Sequence, residues 1–244
     1  MSEDTSKAAP AAQDKLPAET PLGAFIQKDR KTYAVVPRTP LGLVTPEVLE
    51  RIAAVARGHG IPIIKITSGQ RMALVGVRPD DVENVWKDLG MEIGRAVEPC
   101  MHYVQACPGS AVCRFGVRDS LGMGGRLDKE LAEMGSMPSK LKVGVSGCPF
   151  CCAEAYVRDM GIFGKKSGWT VILGGNSGQN PRIGDVVARD VDDDRVVGIA
   201  RAFVDMWRAG GGKRERTARF VERVGIAEVL SGLGIDAATI GDNR

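Results

Sequence analysis

The rhythm of apolar and polar positions changes several times along this chain. TYAVVP (residues 32 to 37) alternates as a strand does. Thr45 followed by Pro46 and Glu47 is a helix-start signal and Gly58 a stop. A helix is therefore predicted over 45 to 57, with Val48, Leu49, Ile52, Ala53 and Val55 on its buried side. The β-branched run IPIIKIT (61 to 67) and RMALVGV (71 to 77) predict two strands joined by SGQ, and RPDDVENVWKDLG predicts a helix from Pro79 to near Gly90. The order β, α, β, β, α is half of a split-βαβ sheet pattern.

Farther along, KLKVGVS (140 to 146) and WTVILGG (169 to 175) read as strands, and Pro149 as the first turn of a helix. GMGG (122 to 125) reads as a flexible link, and Val191 to Leu233 as helical from its three and four spacing. Residues 1 to 22 are rich in Ala, Pro and charge with few large apolar side chains, which predicts a flexible tail.

Apolar residues make up 43% of the sequence, enough for a core without disulfide staples. Lys and Arg exceed Asp and Glu by only three and aromatics are 5%, which argues against a nucleic-acid surface. With no secretory leader pattern and no apolar run of membrane-spanning length, the expectation is a cytoplasmic protein that does not enter a membrane.

The chemistry lies in the cysteines. All six (Cys100, Cys107, Cys113, Cys148, Cys151 and Cys152) fall in one stretch, where a disulfide scaffold would scatter them. Cys107 and Cys113 have five residues between them, Cys148 and Cys152 three. A helix beginning at Pro149 would place Cys148 and Cys152 on one face and aim the helix's positive end at a bound anion. Four thiolates suit tetrahedral zinc or an iron-sulfur cluster. The wide spacings favour the cluster, with zinc and plain buried thiols as the alternatives. Cys100 and Cys151 read as small core residues, the alternative for Cys151 being a substitute ligand because it is adjacent to Cys152.

ACPGSAVCRFGVRDS (106 to 120), KLKVGVSGCPFCCAEAYVRDMGIFG (140 to 164) and GWTVILGGNSGQNPR (168 to 182) together resemble the siroheme-dependent nitrite and sulfite reductases. The likeness extends to VVPRTPLGLVTPEVLERIAAVARGHG and IKITSGQRMALVGV in the first lobe. It implies an α+β fold: a ferredoxin-like half-domain (23 to 96), then a siroheme and iron-sulfur α/β lobe with C-terminal helices (97 to 244). It further implies siroheme and a 4Fe-4S cluster as cofactors. Cys107, Cys113, Cys148 and Cys152 resemble the cluster ligands, with Cys152 bridging to siroheme. Between the last two, this chain carries Phe150 and Cys151 where many members have Asn-x-Cys or a charged pair.

Sulfite, nitrite and the carboxylates of siroheme are anions, so such a site needs guanidinium and ammonium groups. The resemblance points to Arg38, Arg71, Lys140 and Lys142 for the substrate. Arg114, Arg118 and Arg182 are candidates for siroheme carboxylates, with Gly175 and Asn176 in a Gly-rich loop whose amides can approach an anion. The expected reaction is six-electron reduction of sulfite to sulfide. Nitrite reduction to ammonium, a non-catalytic cluster-bearing subunit and a zinc-stabilised module are the alternatives. With no flavin or nicotinamide motif, an external donor such as ferredoxin is implied. The family's larger members use two repeats; a single repeat raises the expectation of a homodimer with shared sites.

Overall fold

The computed structural model describes residues 20–95 and 98–240. Most of the predicted tail and the predicted boundary near residue 97 lie outside these residues.

The first sheet has the order β1-β2-β4-β3, with every neighbouring pair antiparallel. Its strands are β1 (Ala24–Ile26), β2 (Tyr33–Val35), β3 (Ile63–Ile66) and β4 (Met72–Val77). Helix α1 (Pro46–Gly58) starts where predicted, with the Thr45 hydroxyl accepting from the Val48 amide. Helix α2 (Val82–Leu89) ends at Gly90 in the left-handed conformation. Ile52, Val55, Val85, Trp86 and Leu89 from these helices pack on Tyr33, Val35 and Leu74 of the sheet. Leu49, expected inside, is 46% exposed, because the core-facing stripe of α1 runs through Ile52, Val55 and Ala56 instead. β3 is the open edge, and all four of its residues are exposed.

The second sheet runs β5-β6-β7-β8-β9, formed by Met101–Ala106, Leu141–Ser146, Met160–Gly164, Trp169–Leu173 and Asp185–Val191. β5, β6 and β7 are parallel neighbours, while β8 and β9 are antiparallel additions. Helix α3 (Ser120–Glu133) is the crossover from β5 to β6, and α4 (Asp193–Gly210), α5 (Thr217–Val224) and α6 (Ile226–Gly232) follow. A large apolar core joins Val104, Leu127, Leu131, Val143, Ile162 and Val171 to Ile199, Phe203 and Trp207 of α4.

Two expectations are corrected here. GMGG is not a link but part of α3; a Cβ on Gly124 would crowd Leu41, Ala106 and Val104, so the missing side chain lets the first lobe dock there. No α-helix begins at Pro149; only a single 3-10 turn, Ala155–Val157, follows before the next strand. Cys151 (φ 52) and Glu154 (φ 57) adopt left-handed backbone, which breaks any helix, and the chain turns back across the sheet. The helix-dipole argument for Cys148 and Cys152 therefore falls.

Candidate active site

Cys107 follows the carboxyl end of β5 and Cys148 that of the adjacent parallel strand β6, the edge where open α/β sheets place their ligands. The Cys107 amide extends the ladder to the Val145 carbonyl at 3.1 Å. The two cysteine loops are locked to each other. The amides of Val117 and Arg118 both donate to the Gly147 carbonyl, at 2.9 and 3.0 Å. The Gly147 amide donates to Cys107 Sγ at 3.1 Å, and Ser120 Oγ to the Cys107 carbonyl at 2.7 Å. A Cβ on Gly147 would sit 2.6 Å from the Gly109 Cα, so only backbone against backbone allows this approach.

An amide aimed at Cys107 Sγ suits a thiolate, which gains from such a donor and is the form that binds metal. Among the described residues no three His, Cys, Asp or Glu groups gather around one point as a single metal ion requires. The four thiols come from two loops tied to each other, and four soft thiolates are a donor set of the kind an iron-sulfur cluster takes. Cys148 is buried and Cys107 half-buried, while Cys113 and Cys152 are exposed beside the exposed apolar side chains Val112, Phe115 and Phe150. Phe115 and Phe150, one from each loop, stack edge to face at 5.2 Å. Burial and the nearby sulfurs of Cys148, Cys152 and Cys107 push the Cys151 thiol up to about 11, so it stays protonated.

After Cys152 the chain runs back over the sheet. The Ala153 amide bonds Ser146 Oγ at 3.1 Å, and Gly144, Gly161 and Gly175 leave room for the backbone of Ala153, Ala155 and Tyr156. This return places Arg158, 3% exposed, under β5, where it donates to Tyr103 Oη at 3.0 Å and Gln105 Oε1 at 2.8 Å and pairs with Glu154.

Near the amino ends of β5 and β6, a 220 Å³ cleft between the lobes is lined by Arg71, His102, Tyr103, Lys140 and Lys142. The Tyr103 ring has Arg71 at 5.6 Å, Lys142 at 5.9 Å and Arg158 at 5.8 Å from its centroid. Burial, with Arg216 close by, lowers the Lys140 and Lys142 ammonium groups, and burial lowers Arg71. Arg71 Nη1 is fixed on the Arg95 carbonyl at 2.7 Å. Buried Asp159 holds this end together, accepting from the Lys142 amide, Arg216 Nη2 and Thr217 Oγ1.

The structure thus brings Arg71, Lys140 and Lys142 to one cleft. Arg38 lies in an adjoining cleft, paired with Glu92 at 2.8 Å and with Asp128 of α3. Arg114 lies over the Phe115 ring at 4.5 Å, whereas Arg118 donates to the carbonyls of Lys165 and Lys166. Arg182 bonds the Gly174 carbonyl and Asp185, and its backbone pairs with Asn176 beyond Gly175. His102, one of only two histidines, reads from the sequence as a surface or core residue rather than a ligand, and Tyr103 and Arg158 were not picked out. MHYVQA is buried on both faces and has no alternation to mark it as a strand, and Arg158 stands inside the quoted YVRDM.

Two parallel-strand ends carrying locked cysteine loops, with a ferredoxin-like half alongside, define an iron-sulfur oxidoreductase class. The chain belongs to the nitrite and sulphite reductase family. Its 4Fe-4S domain matches residues 98–239 and its ferredoxin-like half domain residues 25–92. Siroheme and a 4Fe-4S cluster are the cofactors of that family. Over 212 residues the chain is 53% identical to an assimilatory-type sulfite reductase of Nitratidesulfovibrio vulgaris, covering 87% of this chain and 97% of that one. It is 39% identical to a nitrite reductase [NAD(P)H] of Bacillus subtilis, over 86% of this chain but 26% of the relative's length. The fold is shared with a dissimilatory sulfite reductase I (TM-score 0.76, 16% identity, 87% of this chain and 72% of that one). It is shared also with the Mycobacterium tuberculosis NirA protein (TM-score 0.71, 18% identity, 83% of this chain and 39% of that one). Among the described residues no helix is long and apolar enough to cross a membrane.

Proposed function

We propose that this protein is a cytoplasmic reductase that takes sulfite to sulfide with six electrons and six protons, releasing three waters. The observation that carries the reading is the pair of interlocked cysteine loops at one end of the sheet and a basic cleft at the other, in a chain matching nearly the whole length of a sulfite reductase. Cys107, Cys113, Cys148 and Cys152 would hold the cluster, and the exposed Cys152 would be the thiolate that also serves siroheme. When bound, these cofactors supply one-electron transfers and an iron atom to which the substrate attaches. Arg71, Lys140 and Lys142 offset the anion's charge and orient it. Arg114, the Gly175 amide and the donors of Arg118 not spent on carbonyls serve siroheme carboxylates, whereas Arg182 is already paired with Asp185 and Glu222 and the Asn176 amide with the Arg182 carbonyl.

Electrons come from an external donor such as ferredoxin. The nitrite reductases among the relatives, together with the GQR stretch at Arg71, favour nitrite to ammonium as the second reading.

The reading extends to a homodimer. From Lys142 to Ser146 the strand spans about 13 Å at roughly 3.3 Å per residue. Within one subunit the basic cleft and the Cys107 and Cys148 ends of the sheet are therefore set apart, and a second copy would bring its cleft to them. The open β3 edge, with exposed Ile63, Ile64 and Ile66, is surface of the kind a second copy covers.

Anaerobic purification from cells supplied with iron and siroheme, followed by assays of both anions with a reduced dye, tests the reading. Sulfide formation with siroheme bands supports it, cluster bands alone would make the chain an electron carrier, and an iron-free protein would end it. Mixing Arg71→Ala subunits with Cys152→Ser subunits tests sharing: activity returns only if sites cross the interface.

A further inference from the structure

His102 is 8% exposed, and its Nε2 atom has no hydrogen-bond partner. A backbone bond to Glu98 holds the other ring nitrogen. A backbone acceptor is a carbonyl, so Nδ1 carries the proton and Nε2 of the neutral ring is a bare lone pair. The same residue lines both clefts, the one with Arg71, Lys140 and Lys142 and the one with Arg38, Glu92 and Arg95. Arg71, which also lines both, has its Nε atom buried and without a partner as well. Two orphaned polar atoms at one place are costly in a closed structure, and a ligand with polar atoms between them removes that cost.

The two atoms ask for different things. Arg71 Nε is a donor and calls for an anion, whereas the His102 lone pair repels an anion until it is protonated. The charges facing the ring decide when that occurs. Arg71 comes from β4, Lys140 and Lys142 from the start of β6, and Glu98, Cys100 and Tyr103 from around β5. Beyond Arg71 stand Arg38, Glu92 and Arg95. With the cleft empty, burial first and the surrounding cations second keep the ring neutral. A bound anion reverses the local balance.

We propose that the anion entering this cleft is bound together with one proton, taken up from solvent at Nε2 of His102. The new N–H then faces the anion, anion and imidazolium enter the site as a neutral pair, and nothing is oxidised or reduced in the step. His102 is then a binding residue and the first proton store for oxygens that leave as water. The inference rests on the reductase reading.

Burial, with Lys140, Arg71 and Lys142 nearby, holds the empty-state imidazole at about 3, so proton uptake near neutral pH has to accompany the ligand. Nitrite is the probe, because near neutral pH it brings no proton of its own. Nitrite is added to the oxidised holoenzyme in weak buffer at pH 6, with binding followed by absorption and proton uptake by an indicator dye. The wild type takes up close to one proton per nitrite bound, and its affinity falls about tenfold per pH unit once the pH exceeds the bound imidazole's own value. His102→Gln binds nitrite more weakly, without uptake and with a flat pH profile. In the unaltered protein His59 and His102 are the only histidines, so imidazole nitrogen NMR reads the ring directly. Nitrite moves the His102 signal to the imidazolium position and leaves that of His59 unchanged. Uptake that persists in His102→Gln, or a His102 signal that stays neutral with nitrite bound, overturns the proposal while leaving the reductase reading intact. A holoenzyme that binds neither nitrite nor sulfite overturns both.

Discussion

Arg158 Nη1 donates to the hydroxyl of Tyr103 at 3.0 Å from below the sheet, while Arg71 and Lys142 stand against the same ring from the cleft. This contact ties the segment that follows the cysteine loop to the floor of the basic cleft. The positions of Arg71 and Lys142 therefore depend on how the chain turns after Cys152.

Arg158→Met removes a buried cation and strands Tyr103 Oη and Gln105 Oε1. The expected loss is about 3 kcal/mol of stability, seen as a lower urea midpoint. The anion KM should also rise, because Tyr103 loses its anchor. A variant with unchanged midpoint and kinetics would show the contact to be idle.

Gly161→Ala places a methyl group into the Ala155 carbonyl, where no side chain can yield. The return segment then cannot lie on β7. The expected protein is depleted of iron relative to the wild type, measured as iron per chain after anaerobic purification. Full iron content would mean that the segment has another route.

Arg71→Ala and Lys142→Ala each remove one charged donor from the cleft. Each should lower kcat/KM for the anion about 10- to 100-fold, from roughly 1.5–3 kcal/mol per charged hydrogen bond, with little change in cluster content. Cys152→Ser should behave in the opposite way, changing the visible and EPR spectra along with activity.

His102 also leaves a mark on stability. Its imidazole is lowered from 6.5 to about 3 in the folded, empty protein, chiefly by burial. Below 6.5 the unfolded chain binds a proton that the native state refuses, so this group costs stability increasingly as the pH falls toward 3. In His102→Gln the fall of Tm over that window should be shallower than in the wild type. Parallel curves would show that burial does not hold the ring neutral.

Helix α1, the strands around 33 to 35, 72 to 77 and 141 to 146, and the C-terminal helices were legible because their signals are local: a Thr cap, a Pro at the first turn, β-branched runs. β5 and β7 were not, since MHYVQA and MGIFG are short and buried on both sides, with no alternation to read. The turn after Pro149 was misread because the left-handed backbone at Cys151 and Glu154 is imposed by packing over Gly144 and Gly161.

By itself, the sequence carried the family resemblance, and with it the implied cofactors, because the motifs around the two cysteine pairs are properties of short stretches of chain, while thiolate spacing alone favoured a cluster over zinc. Which charges converge was decided only by the tertiary structure. Tyr103 and Lys142 are 39 residues apart yet paired across adjacent strands, and the ring that collects three cations exists only once β5, β6 and the return segment have packed. Long-range electrostatics has no sequence period, so a neutral histidine amid those cations could be found only in the folded molecule.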